Sequence, residues 1–337
     1  MPGYTVHTWD ASKSIPDLSG KVIIVTGGNA GCGKATVLEL SRHSPSKLYM
    51  AARSRAKYDA AMKDILAANP TANVDFLELD LGSIDSVKTA AQTFLAKESR
   101  LDILINNAGI LGHPAALTPT NHEIHFGTNY LGHAALTTLL LPLLRRTASS
   151  SSSPPSSSPS VRVIHITSAA AFTRPPLTPR TITWDSERST RPDLNEFQRY
   201  AISKLAQILY AKECALRYPE VLSVAVHPGR VGTTLLDGFL GGGGKWSLMG
   251  VVQRVYDRVA AVYTAEEGAM SGLWAATAPS AAAGVDQEGV VNGGLFVPVG
   301  VKVEGDAKCQ SKELAAELWE WTERELKGLG VEASVLK

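Results

Sequence analysis

The chain has 337 residues, of which 44% are hydrophobic and 19% are charged, and its formal net charge at pH 7 is +1. This balance gives no electrostatic reason to expect binding to nucleic acid or to an anionic membrane. Its three cysteines, Cys32, Cys214 and Cys309, are far apart and form no disulfide or metal-ligand pattern. No apolar run is long enough to span a bilayer, and the N-terminus lacks signal-peptide features, so we expect a cytoplasmic protein.

Short apolar runs alternate with helical patterns along most of the chain. Several runs are apolar nearly throughout, which is typical of strands covered on both faces. The predicted strands are 21–25, 47–51, 74–79, 101–105, 161–166, 221–226 and 290–297. The predicted helices are 32–43, 55–68, 83–98, 121–146, 196–217 and 265–277. This alternation predicts a single doubly wound α/β domain, with a central parallel sheet of about seven strands and helices on both faces.

Three segments interrupt this pattern. Residues 147–160 are rich in Ser and Pro and predict a disordered surface insertion on the side opposite the ligand crevice. Residues 169–199 and 233–263 follow the ends of strands, so both are predicted substrate loops, and the glycines at 241–244 are a candidate lid hinge. We expect one catalytic domain over 1–300 and a C-terminal helical extension of it over 301–337.

The two predicted substrate loops carry many large apolar side chains. These are Phe172, Leu177, Trp184, Leu235, Leu236, Phe239, Leu240, Trp246 and Met249. They favour a hydrophobic small-molecule substrate, or else they cover the core or a dimer face. Within the extension, 311–327 predicts an amphipathic helix that packs over the pocket or at a subunit interface.

The stretch VTGGNAGCGKAT, residues 25–36, joins the first strand to the first long helix and has two interpretations. The phosphate loop of nucleotide triphosphatases needs Ser or Thr after its Lys, but Ala35 follows Lys34. The strict dinucleotide fingerprint fails because Asn29 replaces its second glycine. The variant T-G-x-x-x-G-x-G fits throughout, at Thr26, Gly27, Gly31 and Gly33. Because a helix N-terminus favours phosphate, the loop is a candidate dinucleotide-binding turn of a Rossmann-type domain, the alternative being a loop that matches the motif by chance.

Tyr200 and Lys204 are four residues apart on a predicted helix and therefore share a face. A Lys ammonium about 4 Å from the phenol, at an effective dielectric of about 20, favours the phenolate by about 4 kcal/mol, or roughly three pKa units. Such a shift would suit Tyr200 to acid–base catalysis. The alternative is an ordinary amphipathic helix with an exposed Tyr and Lys. Ser168 ends the fifth strand, where it can bond a substrate oxygen or simply cap its own loop.

Seven motifs occur in an order that resembles the short-chain dehydrogenase/reductase family. They are TGGNAGCGKAT (26–36), LDLGS (79–83), LDILINNAGI (101–110), HFGTNYLGHAALT (125–137), HITSAA (165–170), YAISKLAQILYAKE (200–213) and HPGRVGT (227–233). The resemblance covers roughly residues 18–300. The motifs FGTNYLGH and SKLAQILYAKE look most like the retinol-dehydrogenase and WW-domain-oxidoreductase branch, although no WW domain is present.

The resemblance implies a catalytic set of Ser168, Tyr200, Lys204 and Asn129, in which Asn129 holds a water that relays protons to Lys204. The alternative for Asn129 is a helix-interior residue that satisfies the backbone. The resemblance also implies a set of cofactor-binding residues: Gly27, Asn29, Gly31, Cys32, Gly33, Arg53, Asp80, Leu81, Asn107, Ala108, Gly109, Tyr200, Lys204, Pro228, Gly229, Val231 and Thr233. In this set 107–109 meet the adenine and ribose side, 80–81 the adenine, and 228–233 the nicotinamide end.

The end of the second strand distinguishes the two nicotinamide cofactors. An acidic residue there binds the 2′-hydroxyl of NAD and repels the 2′-phosphate of NADP. This chain has Ala52, Arg53 and Ser54 at that place, and Arg53 can form a bidentate contact with a phosphate. The sequence therefore predicts NADP(H), the alternative being that Arg53 is only a surface residue.

Together these features predict an NADP(H)-dependent oxidoreductase that reduces a ketone or aldehyde of a hydrophobic small molecule, or oxidises the alcohol, as in a tailoring step of specialised metabolism. Two alternatives remain open. The same catalytic set can serve an epimerase, a dehydratase or an enoyl reductase, and the fold can serve a non-catalytic NADP(H) sensor. The scattered histidines specify no zinc geometry, so we expect no metal. The family resemblance implies a homodimer or homotetramer.

Overall fold

The computed structural model describes residues 9–150, 161–173, 182–232, 262–280 and 289–333. Its centre is one eight-stranded sheet in the order β3-β2-β1-β4-β5-β6-β7-β8. The strands are β1 (Val22–Thr26), β2 (Lys47–Ala52), β3 (Val74–Glu78), β4 (Ile103–Asn106), β5 (Arg162–Ile166), β6 (Leu222–Val226), β7 (Leu295–Val297) and β8 (Val301–Val303). Strands β1 to β7 pair in parallel, which confirms the predicted α/β class.

The sheet differs from the prediction at its far edge. β8 pairs with β7 in the antiparallel sense and adds an eighth strand inside the segment expected to be a helical extension. β7 is also shorter than the predicted 290–297, because residues 292–293 form a turn in which Gly293 has a φ of +76°. The helical part of the extension therefore begins only at Ala307.

Helices cover both faces of the sheet. They are α1 (Ala11–Ser14), α2 (Gly31–Ser41), α3 (Arg55–Ala68), α4 (Ile84–Leu95), α5 (Gly132–Ser150), α6 (Ala170–Thr173), α7 (Glu196–Arg217), α8 (Ala265–Thr277), α9 (Ala307–Gln310) and α10 (Lys312–Gly328). Local signals explain several starts: Ser54 and Ser83 cap α3 and α4, and capping boxes begin α7 and α8. Among the described residues, no helix is long and apolar enough to cross a membrane.

Alternation along β1 divides the core between the two faces. Val22 and Ile24 belong to a cluster with side chains of α4, α5, α7 and α10, whereas Ile23 and Val25 join side chains of α2, α3 and α8. All four are buried, as expected for a central parallel strand. The sheet is therefore a rigid layer that fixes the positions of the loops at its edge.

The helix predicted over 121–146 is two elements. A π-helical turn, Phe126–Leu131, runs directly into α5. α5 continues to Ser150, so residues 147–150 of the predicted disordered insertion are helical, and Thr147 is buried. The remaining insertion residues, 151–160, lie outside the described part of the chain.

The C-terminal helix α10 packs along α7 and against the segment that follows α6. Trp319 stacks on Tyr210 with ring centroids 5.4 Å apart, and the Tyr130 hydroxyl lies 2.5 Å from Thr322 Oγ1. Trp321 Nε1 donates to Asp185 Oδ1 at 3.0 Å, in the 3₁₀ turn Trp184–Arg188. The extension is thus an integral part of the core.

Two of the predicted pocket-lining side chains lie in the core. Trp184 is buried and packs against Phe126 at 6.1 Å between ring centroids, and Phe172 packs against the same cluster. These two side chains therefore pack in or against the hydrophobic core. The other seven lie outside the described residues, as do the glycines at 241–244.

Candidate active site

The candidate site lies where the strand order reverses. β1 pairs with β2 on one side and β4 on the other, and β5 and β6 follow β4. The carboxyl ends of β1, β4, β5 and β6 therefore meet along one edge of the sheet. In open α/β sheets this reversal opens the crevice that receives ligands.

The glycine loop at the end of β1 is tightly packed. Gly27 has a φ of +66°, a conformation that strongly favours glycine. A Cβ at position 33 would lie 2.3 Å from the Gly27 carbonyl oxygen. Only glycine at this position therefore allows the start of α2 to pack so closely against the loop. Thr26 Oγ1 accepts from the backbone N–H groups of Asn107 and Ala108 at 2.9 and 3.0 Å, which ties this loop to the end of β4.

The start of α2 is suited to a phosphate. Its N-cap residue, Ala30, offers no side-chain acceptor to the first-turn N–H groups, and the first turn has no acidic residue. Asn29 and Cys32 are half-buried beside it, and burial raises the pKa of the Cys32 thiol to about 11, so that this side chain is uncharged. Lys34 instead pairs with Asp64 at 2.8 Å, as expected if it does not hold a nucleotide phosphate.

Ser168 and Tyr200 meet as the sequence predicts. Ser168 follows β5, and its hydroxyl lies close to the phenol of Tyr200, which lies near the start of α7. Tyr200 is buried, and burial raises the pKa of its phenol to about 12, a shift that the neighbouring Ser168 hydroxyl reduces. The sequence-based expectation of a lowered pKa is wrong for this structure, because desolvation disfavours the phenolate.

Lys204 lies one turn after Tyr200, with Nζ 5.6 Å from the centre of the Tyr200 ring. Nζ donates to the Ile166 carbonyl and to Gln207 Oε1, both at 2.9 Å. The side chain is 3% exposed, and burial lowers the pKa of Lys204 to about 7. Burial therefore disfavours the charged form of Lys204, and the hydrogen bonds that Nζ donates help to keep it protonated.

Asn129 lies in the π-helical turn and faces Lys204. Its Oδ1 accepts from Ile110 N at 2.8 Å, and its Nδ2 donates to Ile110 O and to Ser203 Oγ, both at 3.0 Å. A Cβ on Gly109 would lie 3.4 Å from Asn129 Oδ1 and 3.5 Å from Lys204 Nζ, so these three residues converge. Asn129 is thus a bridge between the loop after β4 and α7.

The residues predicted for the adenine side lie at the ends of β2, β3 and β4. Asn107, Ala108 and Gly109 follow β4 directly and are half-buried. Asp80 Oδ1 accepts from Gly82 N at 3.0 Å, whereas the Leu81 side chain is buried in the core. Arg53 follows β2 with an exposed side chain, and no ion pair involves it among the described residues. Its guanidinium is available to an anion.

The loop after β6 reaches the glycine loop. Pro228 and Gly229 follow the strand, and Gly229 lies against the ring of Tyr263. A Cβ on Gly268 in α8 would lie 2.5 Å from Val231 and 2.8 Å from Cys32 Sγ, so Val231 and Cys32 share one neighbour. The predicted cofactor residue Thr233 lies outside the described residues.

Several residues at the site were not predicted from the sequence. Thr26 belongs to the glycine motif, and its hydroxyl also organises the loop after β4. Gln207 bonds Lys204 and lies three residues after it on α7, a spacing that could have identified it. The imidazole of His125 lies 6.5 Å from the Tyr200 ring centre and also bonds the buried Glu123 at 2.8 Å.

These features fit a dinucleotide cofactor. The glycine loop would be filled by a side chain at Gly33, and the uncapped helix start and the exposed Arg53 both suit negatively charged groups. His227 Nδ1, just after β6, is buried without a hydrogen-bond partner among the described residues. A glycine-rich turn at the switch point, beside a Ser–Tyr–Lys cluster, is typical of the dinucleotide-binding α/β class.

Comparison with known proteins supports this class. The family model for short chain dehydrogenase matches residues 21–179. A short-chain dehydrogenase/reductase of Aspergillus calidoustus, drtF, is 35% identical over 323 residues, covering 93% of this chain and 96% of the relative. Human retinol dehydrogenase 13 is 36% identical over 230 residues, covering 68% and 64%. A crystal structure of an uncharacterised protein from Mycobacterium paratuberculosis has a TM-score of 0.67 at 27% identity, covering 97% and 99%.

The chain belongs to the short-chain dehydrogenase/reductase family, whose members are oxidoreductases that use a nicotinamide cofactor. Its similarity to retinol dehydrogenases confirms the branch that the motifs indicated.

Proposed function

We propose that the protein is an NADP(H)-dependent oxidoreductase that reduces a ketone or aldehyde of a hydrophobic small molecule, with the reverse alcohol oxidation open to the same site. One observation carries the proposal. The Ser168 hydroxyl lies beside the Tyr200 phenol, and Lys204 follows Tyr200 by one helical turn, at the strand edge that also carries the glycine loop. We include in the proposal that residues 1–300 form the catalytic unit and 301–337 stabilise it, with 169–199 and 233–263 contacting substrate.

The proposed chemistry divides between the cofactor and the chain. A bound nicotinamide supplies or accepts hydride. Ser168 donates a hydrogen bond to the substrate oxygen and Tyr200 protonates it. The phenol is protonated at neutral pH, so Tyr200 can act as the acid in carbonyl reduction.

Lys204 supports the role of Tyr200 as the acid because its ammonium lies beside the Tyr200 ring. Its ammonium stabilises the phenolate that remains after Tyr200 gives up its proton. Asn129 holds the Ile110 backbone close to Lys204, so we assign it the role of fixing the path by which protons return to the lysine. The residues proposed to hold the cofactor are those predicted from the sequence, with Thr26 added for its part in fixing the end of β4.

The NADP(H) preference rests on Arg53. Its guanidinium is exposed at the end of β2, the position next to the adenosine ribose in this fold. A hydrogen bond to a charged group contributes about 1.5–3 kcal/mol, so loss of one contact to a 2′-phosphate should weaken binding by about 10- to 100-fold.

Tryptophan-fluorescence titrations with NADPH and NADH test the proposal. Arg53→Ala should weaken NADPH by about 10- to 100-fold and leave NADH within about threefold. Arg55→Ala is the matched control, because this exposed arginine lies two residues later and already pairs with Asp59 at 2.9 Å. An equal loss of affinity for NADPH and NADH in Arg53→Ala, or tighter binding of NADH than of NADPH by the wild type, would overturn the NADP(H) assignment.

A further inference from the structure

The acceptor that Lys204 finds on its own helix is a buried glutamine. Gln207 is 1% exposed, and its Oε1 accepts from Lys204 Nζ at 2.9 Å. The other acceptor of this ammonium, the Ile166 carbonyl, belongs to the backbone of β5. Of these two acceptors, the Gln207 side chain is the one that a substitution can remove, because the other is part of the backbone of the sheet.

The opposite end of the Gln207 amide is also fixed. Nε2 donates to the Asn129 carbonyl at 2.9 Å, and the same carbonyl lies 2.8 Å from Nδ1 of His133. Asn129 lies in the π-helical turn, in which hydrogen bonds run from residue i+5 to residue i, as Gly132 N to Gly127 O shows. Its carbonyl oxygen faces side chains from both α5 and α7. Because both ends of the amide are bonded, the orientation of Gln207 is defined.

We infer that Gln207 is a positioning residue that holds the Lys204 ammonium beside Tyr200, by linking Nζ to the backbone carbonyl of Asn129. A lysine stem is flexible and its ammonium is a compact point charge, so its placement depends on fixed acceptors. The inference deepens the proposed function and rests on it for the catalytic meaning of Lys204. The hydrogen-bonded arrangement itself does not depend on the reaction.

Among the described residues, the other titratable groups around Lys204 give it no negative charge at neutral pH. They are Tyr200 on α7, His133 on α5, His165 on β5 and His227 after β6. Burial lowers the pKa of His133 and His165 to about 3 and that of His227 to about 4, so these imidazoles are neutral at pH 7. Burial lowers the pKa of Lys204 itself to about 7, so each acceptor at Nζ has a measurable effect on its charge.

The test is an NMR titration of the lysine Cε resonances in protein labelled with ¹³C-lysine, without cofactor or substrate. The Lys204 signal is assigned from its absence in Lys204→Met. Gln207→Leu removes the acceptor and should move the Lys204 midpoint to lower pH by about one to two units. Gln207→Glu retains an acceptor and adds negative charge, so it should move the midpoint to higher pH.

Gln198→Leu is the control for a purely structural effect. Gln198 lies on the same helix in a capping box with Asn195, with hydrogen bonds of 3.0 Å, so its loss weakens the start of α7 without removing a partner of Lys204. The midpoint should then stay at the wild-type value. An unmoved midpoint in Gln207→Leu, or in Gln207→Glu if the leucine variant does not fold, would overturn the inference.

The outcome is separable from that of the proposed function. If the wild type binds neither NADPH nor NADH, the proposed function fails, while the titration still reports whether Gln207 holds Lys204. In an active enzyme, the alkaline limb of kcat should move to lower pH in Gln207→Leu and to higher pH in Gln207→Glu. A merely structural loss would lower kcat equally at every pH.

Discussion

Replacing Gly33 by alanine tests the packing of the glycine loop. The added Cβ would lie 2.3 Å from the Gly27 carbonyl oxygen and 2.6 Å from Asn107 Nδ2, which itself donates to the Thr26 carbonyl at 2.8 Å. Neither neighbour is a free side-chain end, so the backbone must move. We expect a cost of about 3 kcal/mol, the upper end of ordinary overpacking. For a domain of this size, with an unfolding entropy of about 0.7 kcal/mol/K, that corresponds to a fall of roughly 4 °C in Tm.

Differential scanning fluorimetry and an NADPH titration measure the two consequences, lower stability and weaker binding. Gly328→Ala is the control, because a Cβ at this end of α10 meets no atom within 4 Å. Its Tm should stay the same or rise slightly, since alanine favours a helix over glycine by up to about 1 kcal/mol. A Gly33→Ala protein with wild-type Tm and wild-type NADPH affinity would refute the argument that this close approach organises the cofactor loop.

Two further predictions concern the buried polar groups. Tyr200→Phe should lower kcat by about 10²- to 10⁴-fold and change the NADPH dissociation constant far less, because the proton donor is lost while the other residues proposed to hold the cofactor remain; steady-state kinetics with fluorescence titration decide this. Burial lowers the pKa of His133 to about 3, so the unfolded state binds the extra proton between pH 6.5 and 3, and the stability contributed by the neutral imidazole is lost as pH falls. Urea unfolding of wild type should therefore lose about 2 kcal/mol more than His133→Gln between pH 7 and pH 5, and equal losses would contradict this.

The central sheet could be predicted because most of its strands coincide with short apolar runs in the sequence. The run predicted at 21–25 became Val22–Thr26, and the run at 47–51 became Lys47–Ala52. β8 was missed because it has only three residues, with an exposed Lys302 at its centre and no apolar run. Its pairing with β7 depends on the turn at 298–300, where Gly300 has a φ of +75°. The pairing that this turn allows depends on the folded structure, and no local sequence pattern indicates it.

The proximity of the Ser–Tyr–Lys cluster could also be predicted, but its electrostatics could not. Four-residue spacing on a helix correctly placed Tyr200 and Lys204 on one face. Spacing says nothing about depth, and both side chains are buried. Desolvation raises the pKa of the Tyr200 phenol and lowers that of the Lys204 ammonium, which opposes the attraction assumed from charge alone. The acceptors of Nζ could not be counted from the sequence either, since one of them is a backbone carbonyl on another element.

Asn129 explains why these buried polar groups form one unit. Its side chain joins the loop after β4 to Ser203 on α7, while its carbonyl receives Gln207 from the same helix. A regular α-helix directs its carbonyls along its own axis, whereas a π-helical turn alters that pattern, and such turns are frequent at functional sites. A polar network whose members are nearly all hydrogen-bonded holds a single arrangement in the protein interior. The site therefore owes its rigidity to the π-helical turn as much as to the strand ends around it.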